Sequence, residues 1–565
     1  MGLENVADKV IEADILVIGG GVGGSFAASF ASEQGARVVL LEKAAVRRSG
    51  AAGMGIADHH YLLPPGLTLD DIAEDISTGG RRFLATQDLT SITAGLVDEN
   101  LIYLGYKYNW DVVRTFEKWG LDMKWDDGQY NFSPYADSPD DLRYHGLHIK
   151  KVIADMLKKS AVSVLERTIA VDLLTRDGVI AGATALNMRT GQFIVCQARA
   201  VVLATGAMLR IFNPHYMVSP GKFKMLYQYH AGSGDGMAMA MRAGAELVNM
   251  EISAVGMFLK GARLADALPL GETRAAGVYD ARGEKLEEPF DVDAQLDIER
   301  KGRGPCFADD RQFPEEWHRA VEGHCEDSLP IVLKFAKERG LDTRKDKFEV
   351  TDYRPEFNSL MAGVAMDENG QTTVKGLYAV GDMAGGSTFG GVANAGVFGI
   401  RAGKHAAGSI AKMTQADIDE NQVANQREMV FAPLKKKRGV EPSEVELKIR
   451  HIVERYCGPQ RSEGMINHGL WRLRSTRDRF LGELTAQDNH ELMSAQEVRN
   501  LFLLAEVYML CAREREESGM RSFRLDHPEK ASAPWEKASV ARLENGEVRI
   551  GRRKMPQLRA EFRRK

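Results

Sequence analysis

Six side chains of this 565-residue sequence have the type and grouping for polar chemistry. Arg143 and His145, with His148, share the short stretch Arg143-Tyr144-His145-Gly146-Leu147-His148, where a guanidinium and imidazoles could serve an anion. His60 directly follows His59. Adjacent histidines tend to point apart, so one of them lining a cavity is a better reading than a shared metal. Arg263, Arg274 and Arg303 stand out, with Lys260, in a stretch from about 250 to 350 that mixes charges with Pro and Gly and has weak strand signals. We read that stretch as an inserted cap. Guanidinium groups suit the stabilisation of developing negative charge, and imidazoles suit proton transfer.

The elements that must position these groups begin at Asp14. The apolar run Ile15 to Ile18 breaks into Gly19-Gly20-Gly21-Val22-Gly23-Gly24, a small-residue helix follows, and a second apolar run ends at Glu42. Gly19, Gly21 and Gly24 fit G-x-G-x-x-G, with the strand, helix and terminal acid that give this pattern its meaning. Gly21 allows a pyrophosphate close to the backbone, the helix start faces the phosphates, and Glu42 suits a ribose diol. Lys43 then opens a loop of small residues containing Ser49, Gly50, Gly53, Met54 and Gly55, suited to passing beneath a cofactor.

Further strand-to-glycine transitions follow. The run Ala200 to Leu203 leads into Thr205-Gly206, and Gly234-Asp235-Gly236 opens a helix rich in Ala and Met. Gly376 to Val380 leads into Gly381-Asp382, and Asn394-Ala395-Gly396-Val397 opens a helix. The cofactor domain is therefore discontinuous. The expected division is a first part over 1–250 with a helical insertion at about 65–150, a capping domain over 251–350, a return segment over 351–415, a helical domain over 416–530 and a basic tail over 531–565. Between Ile169 and Arg199 the pairs Asp177-Gly178 and Thr190-Gly191 mark a small antiparallel meander. Lys435-Lys436-Lys437-Arg438 reads as a solvated linker.

Composition narrows the function. The net charge of −5 carries no nucleic-acid footprint, although the basic tail could dock an acidic protein. No apolar run reaches the roughly 18 residues of a membrane span, so no transmembrane segment is expected. Residues 1–14 have no signal-peptide pattern, which makes the cytoplasm the default. Five cysteines, with no C-x-x-C, argue against a disulfide scaffold and against a cluster bound by this chain itself.

The order of these segments, continued by Arg513-Glu514-Arg515-Glu516-Glu517-Ser518-Gly519 and Arg524-Leu525-Asp526-His527-Pro528, resembles the flavoprotein subunits of the fumarate reductase and succinate dehydrogenase family. Within it, Arg48-Ser49-Gly50-Ala51 and Gly302-Arg303-Gly304-Pro305 look most like the alpha subunit of adenylylsulfate reductase. The resemblance implies an α/β fold: a Rossmann-like FAD-binding domain with an inserted capping domain and a C-terminal helical domain. It implies FAD, two-electron chemistry at flavin N5 on a small-molecule substrate, and exchange of electrons with a separate small iron–sulfur, ferredoxin-like subunit.

Departures from the family pattern shape the rest. Many members tether FAD through a histidine in the loop after the ribose acid. Here that stretch is Arg48-Ser49-Gly50, so non-covalent FAD is expected. The family's dicarboxylate arginines have no counterpart in Pro289 to Gln295 or in Gly390 to Gly396, and Asn358 stands where a histidine is usual. These departures argue against fumarate or succinate as substrate. Where adenylylsulfate reductase has an asparagine near the flavin, this chain reads Asp58-His59-His60-Tyr61, which favours a divergent substrate. In this frame Arg263, Arg274, Arg143 and Arg303 stabilise charge and His60 or His145 transfers protons. An oxygen-linked flavin oxidase of the same family is the alternative, and an FAD-containing nucleic-acid-modifying protein is the alternative from another class.

Overall fold

The computed structural model describes residues 2–63, 65–78, 95–125, 127–132, 141–212, 232–259, 277–286, 297–298, 300–328, 330–358, 361–387, 391–518, 523–529 and 536–563. Arg263 and Arg274 lie outside them, as does the whole segment from Pro289 to Gln295.

A seven-stranded sheet forms the centre. Ser163–Glu166, Val38–Glu42, Lys9–Ile18, Phe193–Leu203 and Leu377–Ala379 run parallel in that spatial order. Ile18 pairs with Leu41 on one side and Leu203 on the other, and Leu203 pairs with Ala379. The carboxyl ends of the central strands therefore finish level. Thr168–Arg176 and Val179–Asn187 join the early half of Phe193–Leu203 as the expected antiparallel meander.

Alternation along the strands divides the core. Leu16 and Ile18 face one hydrophobic cluster, shared with the helices Asp235–Arg242, Pro442–Cys457, Glu463–Phe480 and Asn489–Glu514. Ile15 and Val17 face another, shared with Val22–Glu33, Glu99–Trp119, Ile149–Lys159 and Gly391–Ser409. Burial on both faces explains why these strands read as continuous apolar runs. Val22–Glu33 and Gly391–Ser409 approach closely: a Cβ on Gly399 would lie 2.6 Å from the Gly23 carbonyl oxygen, and one on Gly403 2.4 Å from that of Ala27.

The cap carries more strand than its sequence announced. Ser253–Leu259, Lys347–Asn358, Cys306–Asp309 and Gly277–Tyr279 form an antiparallel sheet, accompanied by the helices Glu315–Ser328 and Pro330–Arg339.

The basic terminal stretch, expected as a tail, is instead largely paired. Ala538–Glu544 and Glu547–Arg553 form a hairpin in a second five-stranded sheet with Leu247–Val248, Gly363–Ala365 and Ala384–Gly385. Arg542 and Arg553 both meet Glu246, and Arg559 meets Glu368. Lys436, expected in a solvated linker, binds Gly482 O and Glu483. No helix among the described residues is long and apolar enough to cross a membrane.

Candidate functional site

The level strand ends open into a cleft. After Ile18, Leu203 and Ala379 the chain passes through Gly19, Gly21, Thr205, Gly206, Gly381 and Asp382. All six are partly exposed although the strands behind them are buried. This is the carboxyl edge of a parallel sheet, where ligands bind in folds of this kind.

The glycines divide into packing and open positions. A Cβ on Gly24 would stand 1.9 Å from Gly19 O, and one on Gly19, at φ +109°, would stand 2.3 Å from Ala204 O. Those positions are closed to a side chain. On Gly21 the nearest atom would be 4.0 Å away, on Gly50 3.7 Å and on Gly381 3.8 Å. At these three a side-chain carbon would make no more than ordinary contacts, which leaves the room that a pyrophosphate and ring system need.

Helix starts border the cleft. Gly23 lies beside Gly381 N and Ala395 O, which brings the beginnings of Val22–Glu33 and Gly391–Ser409 together, with Asn394 half-buried at the second. A third helix, Asp235–Arg242, starts against Thr205, whose Oγ1 accepts from Gly236 N at 3.1 Å. Unpaired N–H groups at such ends favour anions.

Glu42 Oε2 accepts from Gly20 N at 2.8 Å and Oε1 accepts from Ala44 N at 2.6 Å, which fixes the carboxylate beside the turn. Ser49 Oγ is buried and makes no hydrogen bond, so it has a polar valence to give a bound group. Burial pushes the Asp382 carboxyl up to about 6. An acid whose folded pKa is raised destabilises the FAD-free fold most above that pKa, and the penalty fades as pH falls toward the unfolded value near 3.9. Asp382→Asn is therefore expected to raise the melting temperature of FAD-free protein at pH 7, with the gain shrinking below pH 6. A lowered melting temperature at pH 7 would contradict this.

Other residues expected at the cofactor have additional or different surroundings. Gly396 packs against Val112, and Val397 lies in the core. Gly53 packs on Arg48 O, and Met54 is exposed. Lys43 and Asp235 meet each other at 2.9 Å, and Lys43 also meets Glu497 at 2.8 Å. Burial opposes the charge on Lys43, but Asp235 and Glu497 raise its pKa. Glu497 continues to Arg210 at 2.5 Å, Arg210 to Glu446 at 2.5 Å, and Glu446 to Arg450. Three cations and three carboxylates thus alternate from the first strand pair into the C-terminal helices.

The residues expected to act on substrate are partly gathered. Asp58–His59 pairs with Leu142–Arg143, which brings Arg143 opposite Asp58. His60 Nδ1 lies 2.6 Å from Asp141 Oδ1. His145 Nδ1 lies 2.9 Å from Asp327 Oδ2 on the cap helix Glu315–Ser328. A Cβ on Gly55 would stand 2.4 Å from Asp327 O, so the cap touches both the small-residue loop and the histidine loop. Arg303 lies elsewhere in the cap, with its guanidinium held by Asp280 and Glu284. His59 is wholly buried. Asn109 Nδ2 donates to the carbonyls of His60 and Tyr61, so Asn109 Oδ1 accepts from His59 Nε2 at 2.6 Å. Burial pulls the His59 imidazole down to about 4, against the Asn109 bond, which keeps it neutral near pH 7.

A cleft at the carboxyl edge of a parallel sheet, with a glycine cradle, a ribose-type carboxylate and several helix starts, defines a dinucleotide-binding fold. Comparison with known proteins gives the particular family. The FAD binding domain family model matches residues 14–398, and the fumarate reductase flavoprotein C-terminal model matches residues 446–562. The chain belongs to the fumarate reductase/succinate dehydrogenase flavoprotein family and is an FAD-dependent oxidoreductase. It is 26% identical to one subunit of the fumarate reductase (CoM/CoB) of Methanothermobacter marburgensis, covering 92% of this chain and 95% of that protein. It is also 26% identical to an L-aspartate oxidase of Streptomyces coelicolor, covering 94% and 92%. In fold it matches the adenylylsulfate reductase of Archaeoglobus fulgidus with a TM-score of 0.82 at 22% identity, over 98% of this chain and 96% of that one.

Proposed function

We propose that this chain is the flavin-bearing subunit of a two-electron oxidoreductase, with FAD held non-covalently and a substrate other than a C4-dicarboxylate. We also propose that it exchanges electrons with a separate iron–sulfur protein of ferredoxin type. The observation that carries the substrate reading is the helix start at Asn394. Gly391 to Gly396 contains no arginine, and the first arginine of that helix, Arg401, gives its guanidinium to Glu368 O and Asn369. A dicarboxylate desolvated there would lack a bidentate partner at this end.

Bound FAD supplies the acceptor or donor for two electrons. The protein supplies the rest. The cap touches the loop at Gly55, a contact that would help keep water from substrate. His60 is oriented by Asp141 and can hold a proton beside substrate, while Arg143 stands across from Asp58 on the same small sheet. His145, held by Asp327, couples the cap to that sheet. Non-covalent attachment is supported by the absence of histidine from Lys43 to Ala57. The five cysteines are at least 19 residues apart in sequence, as Cys306 and Cys325 are, which supports a cluster carried by another chain.

Acid precipitation is expected to leave the yellow flavin in the supernatant; colour retained by the pellet would overturn non-covalent binding. Anaerobically reduced enzyme should not be reoxidised by fumarate, as followed by flavin absorbance, but should be reoxidised by oxidised ferredoxin, or the oxidised enzyme reduced by reduced ferredoxin. Rapid reoxidation by fumarate would refute the substrate reading. Rapid reoxidation by air with peroxide release would favour the oxygen-linked alternative.

A further inference from the structure

We propose that Lys150 is a positioning residue for the cofactor: its buried ammonium holds the dinucleotide turn from beneath and offsets the carboxylates that surround the turn, so that FAD binding depends on its charge. The inference rests on FAD being exchangeable, as proposed above. Lys150 lies in the first turn of the helix Ile149–Lys159, 130 residues beyond the turn it serves. Its Nζ donates to Gly20 O at 2.6 Å, and the residue is 3% exposed. Gly20 is thereby held at both ends of the residue, its N–H by Glu42 and its carbonyl by Lys150 and Ser25 Oγ. The residue so pinned directly precedes Gly21, the open position of the cradle.

A buried ammonium is costly unless charge balances it. The balance comes from Glu42 on one strand and Glu166 on the next, whose Oε1 accepts from Val46 N at 2.9 Å. Other charges on the packed elements are engaged elsewhere. On its own helix Asp155 meets Arg47 and Lys158. Glu33 of Val22–Glu33 meets Lys118 of Glu99–Trp119. On the latter helix Asp111 meets Arg114, Glu117 meets Tyr130, Glu99 accepts from Leu558 N, and Lys107 lies over the rings of Tyr108 and Phe562. Lys151 and Lys159 are exposed. Without Lys150 the turn would present Glu42 and Glu166 to an incoming diphosphate without the ammonium that is bonded to the turn itself.

Burial pushes the Lys150 ammonium down to about 8, with Glu42 and Glu166 acting in the opposite sense. A diphosphate favours the protonated lysine, so above that pH binding must take up a proton. Affinity should therefore be flat below pH 7 and fall by up to about tenfold per pH unit above 8. The FAD-free fold has the opposite slope. A lysine whose folded pKa lies below its unfolded value near 10.4 adds stability as pH rises from 8 toward 10.

The test measures FAD dissociation constants of acid-stripped protein by flavin fluorescence from pH 6 to 9.5. In parallel, on flavin-loaded protein, it follows the temperature at which flavin fluorescence is unmasked. Lys150→Met should weaken binding at pH 7 by tenfold or more and remove the fall above pH 8. Lys150→Arg should bind as wild type at pH 7 and stay flat above pH 8, and Lys158→Met should match wild type throughout. A fall above pH 8 that persists in Lys150→Arg would overturn the proposal even if Lys150→Met fails to fold, as would an unchanged dissociation constant in Lys150→Met. If acid does not release the flavin, non-covalent binding has failed separately. The unmasking temperatures then decide: a wild-type profile as flat above pH 8 as that of Lys150→Arg supports the role, because the flavin then keeps the lysine protonated, and a rise with pH above 8 that Lys150→Arg lacks refutes it.

Discussion

Gly24→Ala should purify colourless, with flavin content near zero and a fold weakened by about 1–3 kcal/mol or more, the usual cost of forcing a methyl into a packed site. The added Cβ would stand 1.9 Å from Gly19 O and 3.0 Å from the Ala204 Cβ, and neither backbone can retreat without moving the strand ends at Ile18 and Leu203. The cradle and the sheet thus fail together. Gly464→Ala is the matched control. Gly464 is in the first turn of Glu463–Phe480, and a Cβ there would meet nothing within 4 Å. That substitution should be neutral or stabilising by up to about 1 kcal/mol, because it restricts the unfolded chain. Flavin content by absorbance and urea midpoints separate the two. A yellow Gly24→Ala with a wild-type midpoint would show that the turn can widen.

The second large effect is expected at Glu497. It is 1% exposed and accepts from both Lys43 and Arg210, so Glu497→Ala leaves two cations facing each other with Asp235 and Glu446 as their remaining partners. Removing one member of a buried ionic group typically costs about 3–5 kcal/mol. The loss should appear as a lower urea midpoint with an unchanged slope, and added salt should restore little of it because the site is shielded from solvent. A change within about 0.5 kcal/mol, the range of ordinary surface substitutions, would show the network to be dispensable. Lys43 and Asp235 flank the cofactor cleft while Glu497 and Arg450 belong to the C-terminal helices, so flavin retention should fall along with stability.

What can be read from the sequence follows locality. The strand, turn, helix and acid from Asp14 to Glu42 lie within one stretch, and each later return to the sheet repeats the same transition from apolar run to glycine. That repetition makes the discontinuous domain and its cofactor readable. Lys150 is not readable as a functional residue. It fits an amphipathic helix, and its partners Gly20 and Glu42 are more than 100 residues away. Lys43 and Asp235 are expected at the cofactor from their sequence neighbours, but the acid that joins Lys43 to Arg210, Glu497, lies on the longest of the described helices with no local mark. The terminal hairpin does carry a signal. Asn545-Gly546, both at positive φ, is the favoured pair for a two-residue turn, and the density of arginine around it masks the alternation of the strands. The cap sheet is obscured for a different reason. Its long strand Lys347–Asn358 carries charges and Pro355, and it pairs with bulges that break the alternation.

The level ending of Ile18, Leu203 and Ala379 also bears on biosynthesis. At about 5–20 residues per second, Ala379 leaves the ribosome roughly 20–70 s after Ile18. During that interval the first strand, apolar on both faces, lacks its central neighbour and then the strand beyond it. The sheet edge that would receive the flavin is therefore complete only in the last third of translation or in the released chain, and until then the unpaired apolar strand is open to aggregation.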